Sequence, residues 1–273
     1  MFANFLIGLR EGLEAALIVS ILITYLVKTG HRNQVSKIFV GTAAAVAVSV
    51  ALGFTLSLVL DQLPPGTEEL ISGLISIASV VLVTWMIFWM AAQSRALSGQ
   101  LRQKVDIAIE RSAWALATVA FFSIVREGIE TSVLIWSAAR ATTGNASSVL
   151  GAVFGLLAAA VLGVLLYRGA LKINLGTFFK YTGAYLVLVA AGILAYGVGE
   201  LQEIGVFNIL TETTYSFTWL IPKDGAIDSL LRGLFGFKVQ PTILETLAWS
   251  LYLIPTALIY LRGYVKPKVL VTA

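Results

Sequence analysis

Two copies of one charged string lie inside apolar segments of this chain. The first copy, at residues 10–14, reads Arg-Glu-Gly-Leu-Glu, and the second, at residues 126–130, reads Arg-Glu-Gly-Ile-Glu. A charged side chain at membrane depth costs about 2.5–3.5 kcal/mol on insertion scales, so six that faced lipid would cost about 15–20 kcal/mol. Both copies are therefore predicted to face the protein interior, where the charges pair with one another and serve a function.

The composition of the chain is typical of a membrane protein. Hydrophobic residues make up 58% of the 273 residues and charged residues only 12%, with a mean hydropathy of +0.88, whereas soluble domains contain about 25% charged residues. There is no cysteine, and the single histidine, His31, lies in a polar loop. These counts exclude disulfides, iron–sulfur clusters and thiolate ligands, and they exclude imidazole chemistry at membrane depth.

Seven segments are apolar over the roughly 20 residues that a spanning helix needs. They lie at residues 2–27, 38–60, 70–92, 113–139, 149–167, 178–199 and 243–261. The loops between them are alternately basic and acidic or weakly charged, and basic loops accumulate on the cytoplasmic side. This alternation predicts an N-terminus outside the cell and a cytoplasmic C-terminus. The net charge of +4 therefore indicates membrane orientation and no nucleic-acid partner.

The two charged strings begin two groups of three helices. The predicted organisation is repeat 1 at about residues 1–95, repeat 2 at about 110–203, an outer loop at about 204–242 and a seventh helix at about 243–262. Because three is an odd number, repeat 2 is inverted in the membrane. Inverted repeats with polar groups at their interface are typical of transporters. The predicted fold is an all-α integral membrane protein: a single permease domain over residues 1–273, with seven transmembrane helices in an inverted 3+3 repeat plus one.

The charged strings have the geometry of a cation site. Positions i, i+1 and i+4 of a helix lie at about 0°, 100° and 40°, so the arginine and both glutamates of a copy share one sector. Two such helices face to face would gather four carboxylates, which suit a hard cation, and two guanidinium groups that reduce their repulsion. The predicted metal ligands are Glu11, Glu14, Glu127 and Glu130, with Arg10 and Arg126 as counter-ions. The glycine in each copy would let a neighbouring helix come close.

A purely structural role is the alternative for each copy, as an i, i+4 ion pair within one helix. Buried ion pairs are seldom needed for stability, and duplication at corresponding places of an inverted repeat favours function. Further acids, Glu68 and Glu69, and Glu200 and Glu203, fall at outer helix ends and form a candidate outer vestibule. Glu68 and Glu69 also suit the dipole of a first helical turn.

The two charged strings resemble the signature of the high-affinity iron permeases, the oxidase-dependent iron transporter family. The similarity is greatest to the bacterial branch, the permease of a periplasmic-protein-dependent iron uptake system. It runs nearly end to end and includes residues 82–90, 174–180, 233–237 and 252–255.

The resemblance implies a permease of the inner (cytoplasmic) membrane, not an enzyme, that imports iron, as Fe³⁺ in the usual account. Iron is then the transported substrate, no organic cofactor is needed, and the expected partner is a periplasmic iron-delivery protein or an oxidase or peroxidase. The motif glutamates of the family would be carried by the four predicted ligands.

Two other functions fit parts of the sequence. A permease for another cation, such as lead or manganese, would use the same carboxylates, because the residues alone indicate only a hard cation. An intramembrane glutamate protease would need polarising groups at depth, often His or Asn, and no predicted span contains a histidine. The chain has no Gly-x-x-x-x-Gly-Lys-(Ser/Thr) string for binding a nucleotide phosphate.

Overall fold

Most of the described chain is helical. The computed structural model describes residues 2–60, 62–64, 66–93, 97–111, 113–141, 146–168, 175–222 and 225–265. In chain order the α-helices are α1 (Phe2–Lys28), α2 (Val35–Leu60), α3 (Thr67–Gln93), α4 (Leu97–Arg111), α5 (Ala113–Ala141), α6 (Ala146–Tyr167), α7 (Leu175–Glu203), α8 (Ala226–Phe235) and α9 (Ile243–Val265). The only β pairing in these ranges is an isolated bridge between Thr213 and Thr242. The all-α class is confirmed.

Each of the seven predicted segments coincides with a helix whose ends differ by at most four residues from the prediction. Within the described ranges, α2, α3, α6, α7 and α9 are long and apolar enough to cross a membrane by length and composition. The helices α1 and α5 contain 27 and 29 residues and are long enough, but they carry the charged strings. The chain is thus an integral membrane protein, with five candidate membrane spans among the described residues. The count of seven and the orientation remain predictions.

Two helices occupy segments that were predicted to be loops. The helix α4 fills most of the basic connection after α3, and α8 lies inside the predicted outer loop at 204–242. In α4, the buried residues Leu101, Val105 and Ala108 recur at helical spacing. This spacing indicates a helix, although the basic composition of the connection favoured a loop. Some basic residues of the predicted cytoplasmic loops lie outside the described residues, namely Arg95, Lys172, Lys266 and Lys268.

The helices divide into two compact units. Unit 1 consists of α1, α2, α4, α5 and α6, and unit 2 consists of α3, α7, α8 and α9. Both helices that carry the charged string therefore belong to unit 1. Each unit draws helices from both halves of the chain.

Small residues bring the helices of unit 1 into backbone contact. A methyl group on Gly12 of α1 would lie 2.6 Å from the Cβ of Ala159 in α6, and one on Gly128 of α5 would overlap Ser49 in α2. The hydroxyl of Ser132 donates to the carbonyl of Ser49 at 2.9 Å, which adds a polar tie between α5 and α2. Such small-residue contacts let membrane helices pack closely. Each motif helix thus packs on the second helix of the other predicted repeat, through the glycine of its charged string.

Replacing Gly128 with alanine is expected to lower the melting temperature of the detergent-solubilised protein, by a loss of about 1–3 kcal/mol from overpacking against Ser49. The matched control is Gly53→Ala in α2, where the added methyl would make ordinary contact 3.5 Å from the hydroxyl of Ser132. Both changes gain the same helix propensity, so the difference between them isolates packing. Equal melting temperatures for the two variants would show that α5 does not approach α2 this closely.

Unit 2 is joined by hydrogen bonds between its long helices. The hydroxyls of Thr84 in α3 and Tyr252 in α9 lie 2.6 Å apart, and Tyr260 of α9 donates to the carbonyl of Lys180 in α7 at 3.0 Å. Before α9, the amide of Thr242 donates to the carboxylate of Glu245 at 2.9 Å, and the amide of Glu245 donates to the hydroxyl of Thr242 at 3.2 Å. This reciprocal capping box fixes the start of α9.

Candidate functional site

The charged string of α1 is buried in unit 1. The exposed fractions of Arg10, Glu11 and Glu14 are 1%, 1% and 6%. They lie about 12–18 Å along the helix from its first residue, since each residue advances the axis by about 1.5 Å. Burying three ionisable groups so far from water is costly unless they are paired or bind a cation.

Arg10 holds both glutamates of its own helix. Its Nη1 donates to Glu11 Oε1 at 2.5 Å, and its Nη2 lies 3.0 Å from Glu14 Oε1. The planar guanidinium therefore presents two different nitrogens to two carboxylates, which a single ammonium cannot do with the same geometry. The second oxygen of Glu11 is buried and accepts no hydrogen bond from the described residues, so its lone pairs are available to a cation.

The string of α5 has a different environment. Arg126 Nε donates to Glu130 Oε1 at 3.1 Å, which forms the i, i+4 ion pair considered as the structural alternative. However, the Arg126 side chain is 41% exposed, compared with 2% for Arg10. The candidate site therefore has two unequal halves: a buried half on α1 and a more accessible half on α5.

Glu127 joins the buried pair. Glu11, Glu14 and Glu127 each offer one carboxylate oxygen, and these three oxygens lie within 4.8 Å of one another. Oxygens at that spacing are at most about 2.8 Å from a common centre, slightly longer than the roughly 2.0–2.6 Å bonds that hard cations form with oxygen. Small side-chain movements would complete coordination of an ion by all three. This group is called the three-carboxylate site.

Glu130 lies at the edge of this site. It is near enough to interact electrostatically with Glu11, Glu14 and Glu127, but its carboxylate is held by Arg126 and is not one of the three clustered oxygens. The structure thus gathers three of the four predicted ligands and places the fourth beside them. With both arginines, the four carboxylates carry a formal charge of −2.

The candidate vestibule acids belong to unit 2. Glu69 accepts a hydrogen bond from the amide of Gly66 at 2.5 Å and so caps the first turn of α3, the structural role considered above. At the end of α7, Glu200 is half-buried and hydrogen-bonds to Tyr196, and Glu203 is exposed. Glu68 is half-buried in the first turn of α3.

One of these acids, Glu200, lies near Lys238, a lysine that belongs to none of the predicted site motifs. Glu200 interacts electrostatically with Glu69, Glu203 and Lys238, and Lys238 donates to the buried carboxylate of Glu245 at 2.5 Å. The string Thr-Ile-Leu-Glu at residues 242–245 is a capping-box signature, so the fixed position of Glu245 could have been predicted. Its pairing with Lys238 could not, because it depends on the path of the outer loop.

Comparison with known proteins gives consistent matches over the whole chain. The model of the family described as "Iron permease FTR1 family" matches residues 1–270. The protein named "Ferrous iron permease EfeU" from Escherichia coli O6:H1 is 38% identical over 258 residues, covering 93% of each chain. The protein of the same name from Shigella sonnei is also 38% identical over 93% of each chain. The Yersinia pestis protein is 32% identical over 95% of this chain and 93% of its own. No solved structure shows a significant match.

Proposed function

This chain belongs to the iron permease FTR1 family, and on that premise we propose that it imports iron across the cytoplasmic membrane through the three-carboxylate site. The observation that carries this proposal is the placement of Glu11, Glu14 and Glu127, three carboxylates from two helices, within 4.8 Å of one another. A purely structural ion pair needs only Arg10 and one glutamate. A third carboxylate from another helix adds repulsion that a bound cation would offset.

Exchange of ligands would make binding reversible. In the resting site, Arg10 holds Glu11 and Glu14, and an arriving ion takes oxygens from that arginine without requiring any group to leave the site. Glu130 and Arg126 lie on the more exposed half. We therefore assign Glu130 to first contact with the ion and the three-carboxylate site to its tightest binding, with both arginines as counter-ions.

We propose Fe³⁺ as the ion bound at this site. The relatives compared are named for ferrous iron, but the ligands here are carboxylates without sulfur or imidazole, a set that favours the harder ion. Inward movement of three charges would gain roughly 7 kcal/mol per 100 mV of membrane potential, so the potential supplies a driving force without nucleotide hydrolysis.

The direct test is uptake of radioactive iron by proteoliposomes that contain only this chain, with an imposed inside-negative potential. We expect saturable uptake from Fe³⁺–citrate and competition by Ga³⁺, which has the same charge as Fe³⁺ but is not reduced. Ascorbate-reduced Fe²⁺ is expected to be taken up more slowly. Faster uptake of Fe²⁺, without competition by Ga³⁺, would overturn the assignment of Fe³⁺ and leave an iron permease for the ferrous ion.

Another metal cation is the second candidate, because oxygen ligands alone do not distinguish iron from manganese or lead. Adding unlabelled Mn²⁺ or Pb²⁺ to the same assay distinguishes an iron permease from a permease for another cation. If Mn²⁺ or Pb²⁺ strongly inhibited iron uptake at a concentration equal to that of iron, that ion would be favoured over iron as the substrate. From the seven apolar segments and the alternating charge of the loops, we also propose seven spans with an outside N-terminus. From the family resemblance we propose a periplasmic iron-delivery, oxidase or peroxidase partner.

A further inference from the structure

The buried face of α1 is apolar on the C-terminal side of the three-carboxylate site. Ile18, Leu22 and Leu26 follow Glu14 at steps of four residues, with exposed fractions of 5%, 0% and 0%. The polar residue Thr24 in this stretch is exposed. An ion that left Glu14 in this direction would meet apolar side chains along about 18 Å of helix axis.

The helix α4 supplies the other wall of this apolar stretch. Its residues Leu101, Val105 and Ala108 are at most 3% exposed and belong to the same buried cluster as Leu22 and Leu26. The cluster also includes Ile38 of α2 and Leu116 of α5. We call this cluster the apolar plug. Its members are all apolar and at most 9% exposed, and Tyr25 packs against it. Apolar constrictions of this kind stop ions.

A hydrogen bond at the rim of the plug ties α4 to α1. The hydroxyl of Tyr25 donates to Asp106 Oδ1 at 2.6 Å, and the carboxylate makes this a charge-assisted bond. Asp106 and its neighbour Lys104 are exposed. Water can therefore replace this bond when it opens, and no buried charge is left without a partner.

Resting on the proposed function, we propose that α4 is the gate at this end of the ion path and that the Tyr25–Asp106 hydrogen bond is its latch. In the arrangement described, the gate is closed: the three-carboxylate site is separated from the C-terminal end of α1 by the plug. Release of the ion requires α4 to move away from Leu22 and Leu26. By the predicted orientation this is the cytoplasmic end, so the gate controls release into the cell.

The chain has no cysteine, so a single introduced cysteine reports on the gate. Leu22→Cys in inside-out vesicles is expected to react slowly with a membrane-impermeant maleimide. Adding Tyr25→Phe or Asp106→Asn is expected to raise the labelling rate about tenfold, as loss of one charge-assisted hydrogen bond predicts. The matched control is Lys104→Gln, which changes an exposed charge on α4 away from the plug and is expected to leave the rate unchanged. Equal labelling rates in all four proteins, or fast labelling of the Leu22→Cys parent, would overturn the gate.

A second measurement links the gate to transport. In the double variant Tyr25→Cys with Asp106→Cys, a short bis-methanethiosulfonate reagent is expected to stop iron uptake, and dithiothreitol is expected to restore it. Unchanged uptake after complete cross-linking would exclude movement of α4. The labelling experiment contains no iron, so it tests the gate even if iron proves not to be the substrate.

Discussion

Replacement of Glu14 with glutamine is expected to reduce iron uptake by at least about 100-fold, while the protein still inserts and folds. Glu14, like Glu11, belongs to the three-carboxylate site and contacts Arg10. Loss of even an outer-shell partner of a metal ligand costs about 10–100-fold. Glutamine keeps the size of the side chain and removes only its charge. The measurement is initial-rate uptake in proteoliposomes, normalised to the amount of folded protein eluting as a single peak.

Two variants make this prediction specific. Glu212→Gln, on an exposed residue of the outer loop, is expected to transport iron normally. Glu130→Gln is expected to lose about tenfold, less than Glu14→Gln, because Glu130 lies beside the three-carboxylate site and is paired with Arg126. Wild-type uptake by Glu14→Gln would remove the site assignment. Equal losses in Glu14→Gln and Glu130→Gln would indicate that all four glutamates bind the ion together.

The long helices could be predicted because hydropathy and length determine them almost alone. A run of about 20 apolar residues can only be helical in lipid, where every backbone group needs an internal partner. The sequence evidence for α4 is weaker, because this helix is short and half polar. Only the spacing of Leu101, Val105 and Ala108 indicates it. Its place against α1 could not be predicted, because that place depends on apolar surface left uncovered by the spanning helices.

Proximity of the two charged strings could be predicted for a different reason. Repetition of one string on two antiparallel helices makes a shared site the simplest way to avoid exposing six charges to lipid. The difference in exposure between the two copies could not be predicted. Nearly identical strings give no reason for Arg10 to be buried and Arg126 to be 41% exposed. The glycines of the two strings also have different neighbours: Gly12 packs against Ala159 of α6, whereas Gly128 packs against Ser49 of α2.

The buried fork of Arg10 leads to the second large effect. Arg10→Met is expected to destabilise the protein by about 3–5 kcal/mol, because it leaves buried carboxylates without their counter-charge. Arg10→Lys keeps the charge but cannot offer two fixed nitrogens to Glu11 and Glu14. We expect Arg10→Lys to fold with a lower melting temperature and to lose about tenfold in uptake, the lower range for a disturbed metal ligand.

The matched change is Arg126→Lys, at the corresponding position of α5. The Arg126 side chain is 41% exposed and its bond to Glu130 uses the single nitrogen Nε, so lysine is expected to replace it with a change of at most about 1 kcal/mol. Melting temperatures of the three variants in one detergent test this order directly. If Arg126→Lys destabilised the protein as much as Arg10→Lys, the two strings would be equivalent in the membrane, and the division into a tight buried half and an accessible half would be wrong.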